Sequence, residues 1–508
     1  MIYQKVRNLS PARSLFDLSY EKLYMCDMGQ LIPVMCDECI PGDVWKMGNQ
    51  AIVRANPLVS PFLHHVDLVT HTFFVPYRLL WDGFEDYITS GEDGTDSSTI
   101  PTWDPTPYTP ADPGPYAANG NGVGSLWDYL GFPVEIDPEG ARPVIFSQYA
   151  YNLIWNEFYR DENLQDEVLL TNEDILLSNW EKDYFTSALT STQKGTMPSL
   201  PISGTTSAEW DSSDFVQSNA STDTGFNTVS SDSRLWTGAN ATAFANAQSF
   251  FNANEVDLSV ATSFDMSDLR LAIKIQIWME RNNRAGNRYT EFLKAHFGIS
   301  PRDDRLQRPE YIGGSRSPII ISEVLQTSST DVTSPQGNLA GHGMGVNKSF
   351  TGTYRVKEFG CMMTIAKLIP KAAYQQGVNR QWIKETRYDF YFPEFANISE
   401  QAILNAEIFA KDNDSAYNQT VFGYQGRYDE HRQKMNMVVS QMRDEFDHWH
   451  LARQWTAGSP PTMNSDFLQC VPSKRVFATP SEPGFIVQFG NQNHVFRPMP
   501  RIAEPSFF

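Results

Sequence analysis

The sequence predicts a mainly β protein, a β-sandwich with long excursions from its loops, and three observations carry that reading. Short apolar runs bounded by Gly and Pro dominate both ends of the chain. Helical periodicity is confined to the middle. The 31 prolines and 32 glycines are spread along all 508 residues without gathering into a linker, which suits many turns better than long helices. The βαβ alternation of a parallel sheet is not visible.

The elements follow in order. Gln30 to Ile40 is apolar between Gly29 and Pro41-Gly42, and Val66 to Val75 mixes Val, Leu, Thr and Phe in near-alternation before Pro76; both read as strands. Residues 90–145, with the run TWDPTPYTPADPGPY, read as a long loop insertion of the kind that is functional or interface-bound. In 149–160, Tyr149, Leu153, Ile154 and Phe158 fall at helical spacing. Residues 196–262 form a polar insertion rich in Ser, Thr, Asn, Ala and Gly, and between Lys194 and Arg270 the only basic residue is Arg234. That composition is loop-like and solvated. Yet Trp210, Phe215, Phe226, Trp236, Phe244, Phe250 and Phe251 recur through it, so the tract is expected to pack on itself or on a neighbour's copy. Two helices come next. One is marked by Met266, Leu269, Ile273 and Ile277, with Asp265 and Asp268 placed like a capping box. The other is marked by Tyr289, Phe292, Leu293 and Phe297, with Gly298 as its C-cap. From Arg308 short strands return, and FRPMPRIAEPSFF reads as an extended arm.

Forty basic residues against sixty acidic ones give a net charge of −20. Such a balance works against binding phosphate through bulk charge; it disfavours a generic DNA-binding protein but allows a container whose contents are neutralised by something else. The start, MIYQKVRNLS, lacks the apolar core of a secretory signal, and no apolar run approaches the roughly 20 residues that span a bilayer, so a soluble, non-membrane protein is expected. Five cysteines cannot all pair. Cys36 and Cys39 have C-x-x-C spacing, but a zinc site would want a second pair, and Cys26, Cys361 and Cys470 stand alone. A redox pair would want a helix N-terminus, and this stretch looks extended. Buried or incidental thiols are the expectation.

Phosphate-loop, nucleophile-elbow and H-E-x-x-H motifs are all missing from the sequence. His64, His65 and His71 cluster, as do His448 and His450. In an extended segment the last two would share a side and could share a metal, but no third ligand sits at a recognised spacing. They read as polar histidines at strand ends or interfaces, and no metal, cofactor or catalytic residue is expected. One basic constellation stands out: Arg281, Arg284 and Arg288 at i, i+3 and i+7, followed by Arg302, Arg305 and Arg308. Such a cluster could contact phosphates. Alternatively, it could pair with acids across subunit contacts, where bidentate Arg is favoured.

Several blocks then carry a family resemblance. They are RSLFDLS (13–19), the LIP and IPGD segments (31–43), FFVPYRLLWDGFEDY (73–87), AYNLIWNEFYRDENLQ (150–165), DYFTSAL (183–189), QKG (193–195), DLRLAIKIQIWMER (268–281), NRYTEFLKAHFG (287–298), RLQRPEYIGG (305–314), PQGNLAGHG (335–343), FGYQGRYDEHR (422–432) and WHL (449–451). In this order they resemble the major capsid proteins of the Microviridae, small tailless single-stranded-DNA bacteriophages, and particularly the gokushovirus branch. Residues 90–145 and 196–262, and Cys36 with Cys39, depart from the pattern, and 434–440 follows it loosely.

The resemblance implies a single capsid domain over 1–508, an eight-stranded antiparallel jelly-roll sandwich with long, partly helical loop insertions. It implies a structural protein, not an enzyme, that self-assembles into a small icosahedral shell around circular single-stranded DNA. A small basic DNA-packaging peptide, a minor pilot protein and a host receptor are implied as partners, with the virion as location and the host bacterial cytoplasm as place of assembly. By analogy of position and composition, 196–262 would be a surface protrusion at the threefold axes, with Trp210, Phe215, Phe226 and Trp236 packed between copies. The rival from another class is a free β-rich carbohydrate-binding protein or glycoside hydrolase, since abundant Trp and Tyr suit sugar stacking and paired acids could lie anywhere in the chain.

Overall fold

The structure is a computed structural model that describes residues 12–104, 121–196, 198, 266–325 and 339–502. Its strands are β1 (Ser14–Asp17), β2 (Tyr20–Cys26), β3 (Ile32–Cys39), β4 (Val44–Ala55), β5 (Val66–Pro76), β6 (Glu310–Leu325), β7 (Leu339–Arg355), β8 (Gly360–Pro370), β9 (Ala373–Tyr374), β10 (Glu400–Leu404), β11 (Val421–Gly426), β12 (Asn436–Met437) and β13 (Phe485–Arg497). The pairing is nested and antiparallel: β2 with β13, β3 with β8, β4 with β7, β5 with β6. First pairs with last, as in one long hairpin ribbon. Rolled up, the ribbon gives two four-strand layers, β2-β13-β4-β7 and β3-β8-β5-β6, which is jelly-roll wiring. β6 and β7 are long enough to cross between layers, where Ile320–Leu325 pairs with Leu339–Met344, so the sandwich is one curled sheet along that side. β1 pairs with the far end of β13. The small pairs β10–β11 and β9–β12 lie in the long connection from β8 to β13.

Strand parity explains the core. Along β4, Trp45, Met47, Asn49, Ala51 and Val53 are buried and the residues between them are not, as expected of a sheet with one face inward. β5 and β8 are buried on both faces. Their inward residues Val66, Leu68, Ala366 and Leu368 pack with Val53, Phe485, Val487 and Phe489 from the opposite layer. Phe74 and Met362 pack with Trp45, Met47 and Val495. The outward residues Phe73, Val75, Met363 and Ile365 meet a cover built from the β5–β6 connection: Phe146, Ala150, Tyr151 and Ile154 on the helix Phe146–Ile154, with Trp103 and Trp127. Burying each such large side chain contributes about 1.5–3 kcal/mol. Tyr151 ties cover to sheet, donating to the Leu31 carbonyl at 2.8 Å and accepting from the Leu176 amide at 2.9 Å.

Between the two inner apolar clusters runs a band of polar side chains. Asn49 donates to the Thr70 hydroxyl (3.2 Å), Thr70 pairs with Ser315 (2.8 Å), Ser315 accepts from Asn347 (3.1 Å), and Thr72 pairs with Thr364 (2.9 Å). Asn491 of β13 crosses the sandwich to the Val34 carbonyl at 3.0 Å. A smaller core, with Tyr184, Phe185, Tyr374, Ile403, Phe409, Phe422 and Phe467, organises the β8–β13 connection.

Several expectations change in detail. The helix expected over 149–160 starts at Phe146 and passes at Trp155 into a π-helical turn that ends at Tyr159. The loop tract 90–145 holds a short helix, Leu126–Tyr129, capped by Ser125. His448 lies in a 3-10 turn, Asp447–Trp449, and not in an extended segment. The helices Met266–Ala285 and Tyr289–Phe297 form as expected, the second closed by Gly298 in the left-handed region; Asp265 lies outside the described residues. The chain divides into two compact units, residues 1–192 with 282–508, and residues 193–281. The first holds the sandwich. The insertion 196–262 falls within the second and lies, except for residues 196 and 198, outside the described residues, as do Trp210, Phe215, Phe226 and Trp236.

Gly29 shows how tightly the strand ends are packed. Its φ is +87°, and a Cβ there would sit 1.8 Å from the Cys470 carbonyl oxygen. Gly29→Ala is therefore expected to destabilise the subunit by well over about 1 kcal/mol, whereas Gly458→Ala, with open space around it, should be close to neutral; denaturant unfolding of both variants checks this.

Candidate assembly surfaces and the arginine cluster

The two sheets differ in what covers them. The β3-β8-β5-β6 layer carries the chain's own insertions, but the described residues leave the outer face of β2-β13-β4-β7 open, and its register lines up exposed apolar residues in two neighbouring cross-strand rows. Met25 lies opposite Ile486 and Leu23 opposite Gln488; Gln488 faces Ile52, which faces Val346; Met344 faces Ile320. Leu23 is 75% exposed, Val346 58% and Ile320 69%. Gln488, between Leu23 and Ile52, and Arg54, between Ile486 and Met344, interrupt these two rows, yet so many exposed apolar side chains gathered on one sheet face mark a surface that another molecule covers.

A second such surface is built by the segment 380–398. Three 3-10 turns, Arg380–Trp382, Arg387–Asp389 and Pro393–Phe395, fold it. Thr386 and Asp389 close the middle turn, with the Thr386 amide donating to Asp389 at 2.7 Å. The backbone is held from below: Tyr428 donates to the Phe390 carbonyl at 2.9 Å and Arg427 to the Tyr388 carbonyl at 2.8 Å. Above that support Trp382 (76% exposed), Tyr388, Phe390, Tyr391 and Phe392 face outward. Rigid, exposed aromatics are what interface centres are made of.

The six arginines separate into two kinds. Arg288 donates to the Asn156 and Arg160 carbonyls (3.0 and 2.9 Å) and pairs with Glu162 (3.2 Å); it satisfies carbonyls at the end of the π-helical turn. Arg308 pairs with Asp303 at 2.6 Å and lies over the Phe158 ring at 5.1 Å. Arg284 pairs with Glu400, and exposed Arg302 reaches Asp304 at 3.5 Å. Arg281 and Arg305 are exposed and make no ion pair among the described residues. The structure thus brings Arg302 and Arg308 together at one cleft and spends Arg288 on the fold.

Among the described residues no group of three or more His, Cys, Asp or Glu could hold a metal ion. His64 meets the Lys371 carbonyl (2.6 Å), His65 pairs with Asp67 (2.9 Å), His71 bonds Tyr159 (2.7 Å), and His450 meets the Met442 carbonyl (2.6 Å). The cysteines are all free. Cys36 and Cys39 lie on β3, an edge strand, and burial holds the Cys39 thiol well above its usual range. Burial, with the Lys367 charge nearby, pushes His71 down to about 4.

A jelly roll with one sheet face and an aromatic plate left uncovered defines a class: subunits whose fold is completed by neighbours, as in coat-forming proteins. The comparison with known families bears this out. The family described as capsid protein (F protein) matches residues 5–507, and the chain belongs to it. Capsid protein VP1 of Chlamydia phage 1 is 32% identical, with 99% of this chain and 97% of that protein aligned. Capsid protein VP1 of Bdellovibrio phage phiMH2K is 31% identical, covering 100% and 97%, and that of Spiroplasma virus 4 is 29% identical, covering 97% and 95%. The protein is a structural component of a phage capsid and not an enzyme, and the alternative of a free sugar-binding protein or glycoside hydrolase is left without support.

Two outcomes test this account of the polar groups. Arg288→Met should cost about 2 kcal/mol through orphaned carbonyls and Glu162, while Arg305→Ala should stay within about 0.5 kcal/mol, both read by chemical denaturation. With its folded pKa lowered, His71 binds fewer protons folded than unfolded. Stability should therefore be full above pH 6.5 and decline as pH falls toward about 4. In a pH series of unfolding midpoints, His71→Asn should flatten that decline.

Proposed function

We propose that this capsid subunit is the major coat protein that closes, in many copies, into the simplest icosahedral shell around a circular single-stranded DNA genome. The exposed apolar side chains Leu23, Met25, Ile486, Val346, Met344 and Ile320, gathered on one sheet face, are the observation that carries this reading. Closed symmetry turns many modest contacts of that kind into a stable container. At −20 per chain, the shell cannot neutralise its own genome, which calls for a small basic packaging peptide beside the DNA; a minor pilot protein completes the set of partners. Assembly takes place in the host bacterial cytoplasm. Within the single capsid domain, 196–262 is a threefold protrusion that touches the host receptor, with Trp210, Phe215, Phe226 and Trp236 clamping three copies together. Arg281 and Arg305, exposed and without an ion pair among the described residues, contact acids of a neighbouring subunit or DNA phosphates.

Trp382→Asp and Val346→Asp tests the reading directly. Each variant should keep the fold of the free subunit by circular dichroism yet lose shells by sedimentation and electron microscopy; wild-type shell yield from either would sink the assignment of these surfaces. Repulsion among acidic subunits also predicts that shell yield rises with ionic strength between about 0.01 and 0.15 M, where the screening length shortens from about 30 to about 8 Å. Light scattering across a salt series measures it.

A further inference from the structure

On the outer face of β6-β5-β8 the covering insertions leave a cleft of about 530 Å³. Its floor and walls are aromatic: Phe73, Phe158, Tyr159 and Tyr311, with Phe73 5.5 Å from Tyr311 and 4.8 Å from Phe158 between ring centroids. Tyr311 is about half exposed, so one ring face is open to a flat ligand. Three cations line the same space, Lys367, Arg302 and Arg308. Asp303 also lines it, but its carboxylate already holds Arg308 and accepts from the Tyr311 amide at 3.2 Å.

Lys367 is the unusual member. It stands in β8, otherwise buried along its length, and no carboxylate pairs with it among the described residues. Its contact is the Tyr159 ring, 5.3 Å from the ammonium. Glu181, whose charge also acts on Lys367, is already bound by Arg316 and Lys371. A lysine placed among apolar strand residues costs desolvation, and burial holds its pKa below the usual lysine value. An anion entering the cleft would offset that cost.

Stacking faces beside unpaired positive charge are the chemistry that recognises unpaired nucleotides. We propose that this cleft holds one nucleotide of a single strand, its base stacked on Tyr311 and its phosphate on Lys367 and Arg302. The proposal rests on the reading that the shell encloses single-stranded DNA, and it gives an acidic coat a local, non-bulk contact with its contents. A duplex does not fit it, because paired bases cannot present a free face to Tyr311.

The experiment uses the full chain as unassembled subunits and a fluorescein-labelled deoxythymidine decamer, read by anisotropy and by ultraviolet crosslinking with peptide mapping. Crosslinks are expected within 158–159 and 300–311. Lys367→Met and Tyr311→Ala should each weaken binding about 10-fold. Lys46→Met, on the opposite sheet, should leave it unchanged, and a decamer duplex should not crosslink. Crosslinks elsewhere, equal crosslinking of the duplex, or wild-type affinity in Lys367→Met would overturn the proposal. The DNA content of purified shells separates the two readings: full shells with an unlabelled cleft sink the cleft alone, and shells without DNA sink the enclosing function.

Discussion

The hydrogen-bonded band across the middle of the sandwich fixes the relation of its two layers. Asn49, Thr70, Thr72, Ser315, Asn347 and Thr364 come from five strands and hydrogen-bond to one another. Apolar contacts alone tolerate small shifts, because burial is non-directional. A buried hydroxyl or amide left unpaired costs about 1–3 kcal/mol, so a slip of one strand would orphan several groups at once. It would also turn every apolar residue of that strand to the other face. The band therefore sets register, and register decides which side chains face outward on both sheets.

From that point the two outer faces diverge. The β3-β8-β5-β6 face is apolar and is covered from within by the helix Phe146–Ile154, the Trp103–Trp127 pair and neighbouring loops. The β2-β13-β4-β7 face carries its exposed apolar side chains without any cover from the described residues. One sheet is finished by the chain's own insertions, and the other is left open by the described residues. This division of labour is how a family of coat proteins can keep one sandwich and still offer surface to other molecules: the loops build structure on one side, and the bare sheet and the 380–398 plate stay available.

Charge follows the same economy. The chain is strongly acidic overall, yet its cations are placed with care. Arg288 closes a helix end, Arg308 is held by Asp303 against Phe158, and partly buried Arg497 grips fully buried Asp43 at 2.9 Å where β13 passes the β3–β4 turn. Lys367, without a carboxylate partner among the described residues, stands instead beside the Tyr159 ring.

How much of this was legible beforehand varies by element. Strands at Ile32–Cys39 and Val66–Pro76 and the helix closed by Gly298 follow from local pattern, because alternation, caps and turn residues act within a few positions; the family was legible from the resemblance of ordered sequence blocks. The continuous burial of β5 was visible as a run of Val, Leu, Thr and Phe, but not that its two faces meet different cores. The exposed apolar face was not legible at all: Leu23 and Ile52, Ile320 and Val346, and Ile486 come from three distant parts of the chain, and only strand register brings them to one face. The arginines at 281–308 could be seen as a cluster, while their sorting into structural and free groups needed Glu162, Glu400 and the Asn156 carbonyl brought close by folding. The cleft joins Lys367 to Tyr159 and Tyr311 in the same way. By itself, then, the sequence determined the kind of protein and its local elements, whose forces are short-range along the chain; the tertiary structure alone decided which surfaces are bare and which charges are free, because those depend on contacts between distant residues.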